Sequence, residues 1–174
     1  MPVSQRKHLG AWYTPTELVD AVVAEVRRGF TPRTVLDPAC GDGRFLQPFA
    51  ATATVTGIDI DPTTSWTHGD SLSIDWGDRQ FDAVVGNPPF LNQLSSSTSR
   101  RGRSRFGGGP YADTAAEFLA LAIRLTRDGG RVGLVLPLSM LSTRDVAAIR
   151  YDVSRRAALR WMWWSPRCAA ASRR

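Results

Sequence analysis

The sequence is poor in the residues that build metal sites, disulfide frameworks and membrane spans. Its 174 residues include two cysteines and two histidines, which are too few for a disulfide scaffold or a His-rich metal cluster. It contains no run of about 18 apolar residues, so we expect no membrane span. The N-terminal residues lack the apolar stretch of a secretory signal. We therefore expect a single cytoplasmic globular domain without a bound metal.

Lysine is almost absent, and arginine carries nearly all the positive charge. The formal net charge is +6, and Lys7 is the only lysine. Residues 1–90 contain 7 Lys or Arg against 11 Asp or Glu, whereas residues 91–174 contain 15 against 5. A shortage of lysine is typical of a GC-rich genome, so the total charge says little about function. The local clusters of arginine need an explanation of their own.

Strands and helices are predicted to alternate along the chain. Thr14 is a candidate N-cap, with Pro15 at the first helical position and an apolar stripe from Leu18 to Val26. A short helix is expected from Arg44, cut short by Pro48. This alternation favours an α/β fold with a doubly wound, mostly parallel sheet. The predicted strands cover residues 34–37, 54–60, 65–68, 81–86 and 131–136, with the start of a sixth at 159–164, and the later helices cover residues 112–126 and 143–158.

The first predicted strand ends in Asp37 and a glycine turn. Ligands of doubly wound sheets bind at the carboxyl ends of the strands, and Gly41 and Gly43 let the backbone turn sharply and approach a ligand there. A dinucleotide-binding fingerprint needs a third glycine at the position of Leu46, which argues against that class. Asp37 suits a ligand with a positive centre better than a pyrophosphate.

Acidic residues also end the next two strands. Asp59 follows the glycine turn by about 20 residues, a spacing suited to binding ribose hydroxyls, and Ile60 is placed to pack on an adenine face. Asp70, after the third strand, is a candidate acceptor for an adenine amino group. The sequence around Ser71 resembles a serine-hydrolase motif, but no histidine base follows His68.

The motif Asn87-Pro88-Pro89-Phe90 ends the fourth predicted strand. The prolines fix the backbone and remove N–H donors, which leaves carbonyl oxygens free to accept. The oxygens of Asn87 and Pro88 are suited to accept both hydrogens of a planar amino group, and Phe90 offers a face for a stacked base. A plain strand-ending turn is the alternative.

Regular periodicity disappears over residues 91–111, which we expect to be flexible. This Ser/Gly/Arg-rich segment follows the Asn87 motif directly. Its arginines are candidate contacts for phosphate groups, with a solvated flexible run as the alternative. These candidates are Arg100, Arg101, Arg103 and Arg105.

Several motifs in this order resemble the class I S-adenosylmethionine-dependent DNA methyltransferases that modify adenine N6. They are GAWYTP (10–15), DPACGDGRF (37–45), GIDIDP (57–62), GDSL (69–72) and GNPPF (86–90). The resemblance covers about residues 8–150. It implies a Rossmann-like methyltransferase sheet and S-adenosylmethionine as cofactor. It also implies a DNA substrate, as in restriction–modification enzymes.

The resemblance also implies roles for individual residues. Tyr13 and Thr14 line the methionine end of the cofactor, and Asp37, Ala39, Gly41 and Gly43 surround the methionine moiety. Asp59 and Ile60 hold the ribose and adenine, and Asp70 meets the edge of the cofactor's adenine. Asn87, Pro88, Pro89 and Phe90 hold the target base.

Three regions are expected on this basis. A cofactor-contacting helix region spans residues 1–30, the catalytic domain spans 31–165, and a disordered tail spans 166–174. The final sheet strands and a target-recognition domain are expected to be missing, so a separate recognition subunit is an expected partner. The alternatives are a truncated inactive fragment, or a methyltransferase acting on a protein glutamine or an RNA base amino group.

Overall fold

The computed structural model describes residues 14–90, 106–109 and 113–164. Within these residues the chain forms a five-stranded sheet flanked by helices. The strands are β1 (Thr34–Asp37), β2 (Thr54–Asp59), β3 (Thr67–His68), β4 (Phe81–Gly86) and β5 (Thr126–Leu134). The helices are α1 (Thr16–Arg27), α2 (Thr114–Leu125) and α3 (Ala147–Arg156), and short 3-10 turns cover Gln47–Phe49, Leu138–Leu141 and Arg144–Val146.

The sheet has the order β3-β2-β1-β4-β5, and every neighbouring pair is parallel. All six residues of β4 are buried, as expected for a parallel strand that is covered on both faces. The chain moves outward from β1 to β3 and then returns to place β4 beside β1. This reversal creates a crevice outside the carboxyl ends of β1 and β4, where doubly wound folds bind ligands. The predicted fold class is confirmed.

Apolar clusters cover both faces of the sheet. On one face, Val19, Val22, Val23 and Val26 of α1 pack as a buried stripe, each contributing about 1.5–3 kcal/mol if fully buried. On the other face, α2 packs against β4 and Trp76. These two layers fix the strand ends, and therefore the crevice, in one arrangement. No helix within the described ranges combines the length and the apolar character needed to cross a membrane.

The prediction that Thr14 caps the first helix is wrong. Helix α1 begins at Thr16, Pro15 occupies the cap position, and no side chain caps the helix. The Pro15 carbonyl instead accepts bonds from the N–H groups of Leu18 and Val19, both at 3.1 Å. The Thr14 hydroxyl instead has a long-range partner, the side chain of Asn87, which follows β4.

The predicted helix from Arg44 is also wrong. Residues 44–46 form turns, and only Gln47–Phe49 forms a single 3-10 turn that contains Pro48. Proline is compatible with this first turn but cannot donate the bond that a continuing helix needs. The chain therefore crosses from the glycine turn to β2 without a full helix.

Two C-terminal predictions differ from the structure. Strand β5 begins at Thr126, five residues before the predicted start. The pairing with β4 is irregular between Phe81 and Ala83, which places extra residues of β5 outside the ladder. The sixth strand is not formed among the described residues. Residues 157–164 have no regular secondary structure, and Leu159 is 78% exposed. An apolar segment becomes a strand only where neighbouring strands pair and pack with it.

Candidate functional site

The ends of β1 and β4 touch at the crevice. Gly86 has φ +148°, and a Cβ added there would lie 2.5 Å from Asp37 Oδ1. The close approach of the two strand ends therefore requires glycine at this position. The sequence motif included this glycine, but its role became visible only through the Asp37 contact.

Asp37 is a buried carboxyl group with one free oxygen. It is 1% exposed. Its Oδ1 accepts a hydrogen bond from the Ala39 N–H at 3.0 Å, whereas Oδ2 is buried without a hydrogen-bond partner among the described residues. Burial raises the pKa of Asp37 to about 8, and the charges of Asp59 and Asp42 add to the rise against the lowering effect of the Ala39 bond. A nearby cation favours the ionised form and offsets this cost.

The glycine turn after β1 is fixed by β2 and its neighbours. Gly41 and Gly43 have φ values of +54° and +79°, a region that glycine adopts without strain. The Gly41 N–H donates to Asp59 Oδ2 at 2.7 Å. A Cβ on Gly43 would lie 2.3 Å from Trp66 Cζ2. Packing against Trp66, which the sequence analysis missed, therefore requires Gly43 independently of any ligand.

The acidic residues at the end of β2 and just after β3 both stabilise local turns. Asp59 also accepts from the Asp61 N–H through Oδ1, at 2.8 Å. Asp70 accepts from the Leu72 N–H at 3.0 Å and from the Ser73 hydroxyl at 2.8 Å. Carboxylate oxygens have further lone pairs, so the assignments of Asp59 to ribose and Asp70 to adenine stay predictions. Ile60 is 49% exposed, which leaves its side chain accessible.

Asn87 carries the second buried and unpartnered oxygen of the site. Its Nδ2 donates to Thr14 Oγ1 at 2.9 Å. Its Oδ1 is buried and has no hydrogen-bond partner in the part of the chain that the structure describes. Pro88 is buried, and Pro89 and Phe90 are half-buried. Among the described residues, the crevice thus holds two buried oxygens without a hydrogen-bond partner, Asp37 Oδ2 and Asn87 Oδ1. This arrangement is costly unless a ligand supplies the partners.

Arg44 ties the N-terminal segment to the glycine turn. Its Nη1 donates to the Thr14 carbonyl at 2.5 Å, and its guanidinium forms an ion pair with Asp42. The Arg44 bond lowers the pKa of Asp42. Sequence reasoning missed Arg44, although an arginine two residues after Asp42 was an available signal.

Several predicted site residues lie outside the described residues. They are Tyr13 and the arginines Arg100, Arg101, Arg103 and Arg105. A cavity of about 700 Å³ lies elsewhere, between the segment from Ser71 to Gln80 and helix α2. It contains none of the predicted site residues. The strand-end crevice remains the candidate site because it brings together the unpartnered polar atoms.

Comparison with known proteins adds a family and several relatives. The family model of the Eco57I restriction-modification methylases matches residues 54–162. The chain is 30% identical to the type II methyltransferase M.TthHB8I of Thermus thermophilus, covering 88% of this chain and 40% of that protein. It is 24% identical to the type II methyltransferase M.CvrRI of Paramecium bursaria Chlorella virus XZ-6E, covering 80% of this chain and 39% of that protein.

A solved structure supports the fold. The methyltransferase subunit of the type I restriction-modification system from Streptococcus thermophilus superposes with a TM-score of 0.61 at 20% identity, covering 83% of this chain and 38% of that one. At this identity the likeness concerns the fold alone. The chain spans about two fifths of the length of the curated relatives it matches.

Proposed function

Because the chain belongs to the Eco57I restriction-modification methylase family, we propose that it transfers a methyl group from S-adenosylmethionine to the exocyclic amino group of adenine in DNA. The observation that supports this most directly is the pair of buried oxygens at the ends of β1 and β4 that have no hydrogen-bond partner among the described residues. The reaction needs one site for a cationic cofactor and one for an amino group. Asp37 and Asn87 match these two requirements.

The residues around Asp37 fit the cofactor. S-adenosylmethionine supplies an electrophilic methyl group carried on a positively charged sulfur. Asp37 Oδ2 is a buried acceptor near which a positive centre restores the ionised carboxylate. The turn containing Ala39, Gly41 and Gly43 encloses the methionine moiety. In this proposal the remaining cofactor residues are Tyr13 and Thr14 at the methionine end, Asp59 and Ile60 at the ribose and adenine, and Asp70 at the adenine edge.

The residues around Asn87 fit a planar amino group. The Asn87 oxygen and the Pro88 carbonyl each accept one amino hydrogen, which concentrates electron density on the nitrogen. The nitrogen bonds the methyl carbon as the methyl–sulfur bond breaks, and the amino group gives up one proton to solvent. Pro89 holds the backbone in place, and Phe90 stacks on the base. Adenine in a duplex reaches this site only after it is flipped out. Arg100, Arg101, Arg103 and Arg105 are proposed to contact the phosphates.

The same two acceptors also suit a second class of substrate, a protein glutamine or an RNA base. A glutamine amide and an RNA base amino group present the same two hydrogens as adenine. DNA is preferred because the family is one of restriction-modification methylases. Target selection is proposed to need recognition elements beyond the described residues, including a separate recognition subunit.

Methyl transfer with a substrate panel tests the proposal. The chain is incubated with methyl-labelled S-adenosylmethionine and, separately, with DNA containing adenine, DNA lacking adenine, RNA and a glutamine peptide. We expect label only in adenine-containing DNA, recovered as N6-methyladenine. Asn87→Ala is expected to slow labelling severely, whereas Gln80→Ala, which removes an exposed amide before β4, leaves it unchanged. Label in RNA or the peptide alone contradicts the DNA assignment.

Cofactor binding is tested separately from substrate choice. A ligand that binds only the folded state adds about 2.7 kcal/mol to the free energy of unfolding at a hundredfold excess over its Kd. We expect S-adenosylmethionine to raise the melting temperature of the wild type but not of Asp59→Ala. A shift that persists in Asp59→Ala contradicts the ribose assignment.

A further inference from the structure

The side chains of Thr14 and Asn87 meet across 73 positions of the chain, with Asn87 Nδ2 donating to Thr14 Oγ1 at 2.9 Å. We propose that Thr14 is a positioning residue, whose hydroxyl holds the Asn87 amide so that its oxygen is left for the target amino group. The inference rests on the proposed function, in which Asn87 Oδ1 accepts a hydrogen from that group. It assigns Thr14 a role toward the target base in addition to its predicted place beside the cofactor.

The amide of Asn87 needs an orienting partner. The oxygen and the NH₂ group of an amide have nearly the same shape, and only hydrogen bonds distinguish the two orientations. In the observed orientation Nδ2 is bonded and Oδ1 is buried without a partner among the described residues. The reverse orientation places an N–H donor against the N–H donors of the target, which is repulsive. A threonine hydroxyl can accept from an amide N–H or donate to an amide oxygen. In the observed orientation it accepts from Nδ2, which leaves Oδ1 as the acceptor that the reaction uses.

The Thr14 hydroxyl has no role in capping the adjacent helix. A threonine just before a helix ordinarily bonds the first free backbone N–H groups. In this chain Pro15 occupies the cap position, its carbonyl accepts the first helical bonds, and no side chain caps α1. Thr14 is nevertheless 4% exposed. The long-range bond to Asn87 accounts for a buried hydroxyl at this position.

Arg44 holds Thr14 in place from the other side. Its guanidinium donates to the Thr14 carbonyl at 2.5 Å and pairs with Asp42 in the glycine turn. Asp42, Arg44, Thr14 and Asn87 thus connect the turn after β1 to the motif after β4. Through this connection, the turn assigned to the cofactor also fixes the residue assigned to the target.

Single-turnover methyl transfer at saturating cofactor and DNA provides the first test. Thr14→Val keeps the shape of the side chain and removes its hydroxyl, and we expect the rate to fall about tenfold, the usual worth of a hydrogen bond. Thr14→Ser restores the hydroxyl and is expected to stay within about twofold of the wild type. Equal rates in the wild type and Thr14→Val overturn the proposal, as does a Thr14→Ser rate as low as that of Thr14→Val.

A double-mutant cycle separates positioning from a structural or cofactor role. In an Asn87→Ala background we expect Thr14→Val to change the rate by less than about twofold, because the group it positions is gone. The same tenfold loss in both backgrounds shows that Thr14 acts independently of Asn87 and overturns the proposal.

NMR of the Asn87 side-chain amide gives a readout that needs no activity. We expect its Nδ2 protons, assigned by their loss in Asn87→Asp, to exchange with solvent at least about tenfold more slowly in the wild type and Thr14→Ser than in Thr14→Val. Equal exchange in the wild type and Thr14→Val overturns the proposal. If Asn87→Ala has no measurable rate, this exchange measurement replaces the double-mutant cycle as the test of the Thr14 role. A protected amide in a wild type that methylates nothing places the failure in the proposed function and not in the role of Thr14.

Discussion

The buried carboxyl of Asp37 makes the stability of the protein depend on pH in an unusual direction. Its pKa is raised from 3.8 to about 8, mainly by burial. Between these values the folded state keeps a proton that the unfolded state releases. Raising the pH through this window therefore lowers the free energy of unfolding. The contribution is fully present below the unfolded pKa of 3.8 and is lost as the pH rises to about 8.

The size of the effect follows from one proton. Each pH unit inside the window changes the free energy of unfolding by about 1.4 kcal/mol, or about 2.7 kcal/mol from about pH 5 to about pH 7. Domains are stable by only about 5–15 kcal/mol, so the change is measurable. Asp37→Asn removes the titrating group. It also buries an amide nitrogen, at a cost of about 1–3 kcal/mol that does not depend on pH.

The quantity to measure is therefore the difference between the wild type and Asp37→Asn in how steeply the free energy of unfolding changes with pH. Urea unfolding of the wild type and Asp37→Asn is followed at several pH values without cofactor. We expect the wild type to lose stability with rising pH more steeply than the variant, by about one proton's worth per pH unit. Saturating S-adenosylmethionine is expected to reduce the wild-type slope, because a cation near Asp37 favours its ionised form.

Parallel slopes in the two proteins would refute the reasoning. They would mean that Asp37 is already ionised in the folded state, and therefore that its free oxygen reaches water or a donor. A lower absolute stability of Asp37→Asn alone is not informative, because the buried amide accounts for it.

Two further predictions concern the strands on either side of the crevice. Gly86→Ala is expected to cost about 2–4 kcal/mol in urea unfolding, because the added Cβ meets the carboxylate at the end of β1 in addition to backbone strain. Gly77→Ala, at φ +51° with open space around the added Cβ, tests strain alone and is expected to cost about 1 kcal/mol; equal losses would remove the contact argument. Asp82→Ala is expected to cost about 3 kcal/mol, because Asp82 accepts from two backbone N–H groups at the start of β1, at 2.6 and 3.0 Å, which the variant leaves unbonded. Asp152→Ala, in an exposed pair on α3, is the control and is expected to cost less than about 0.5 kcal/mol; a similar loss in both would contradict the role of the buried bonds.

Local sequence patterns were sufficient for the central strands. The ends of β1 and β4 match the prediction because each strand is a short apolar run closed by residues that cannot continue it, Asp37-Pro38 and Asn87-Pro88. The predictions failed where pairing with a neighbouring strand decides whether and where a strand forms. The start of β5 depends on its irregular pairing with β4. The segment from Leu159 to Trp164 has strand-forming residues but pairs with no strand in the part of the chain that the structure describes.

The sequence by itself determined the chemistry at each strand end. The motifs placed a carboxyl group at the end of β1, acidic residues at the end of β2 and just after β3, and an amide with two prolines after β4, because these residues close their strands or follow them within two positions. The sequence also placed Gly41 and Gly43 at the two positions where the turn after β1 requires a positive φ.

Only the tertiary structure decided how those groups are partnered. Thr14, predicted as a helix cap, bonds Asn87 because the fold brings positions far apart in the chain within 2.9 Å. Burial in the fold raises the pKa of Asp37, and packing against Trp66 requires glycine at position 43. Burial and long-range hydrogen bonds depend on which elements pack together, and no pattern of neighbouring residues encodes that.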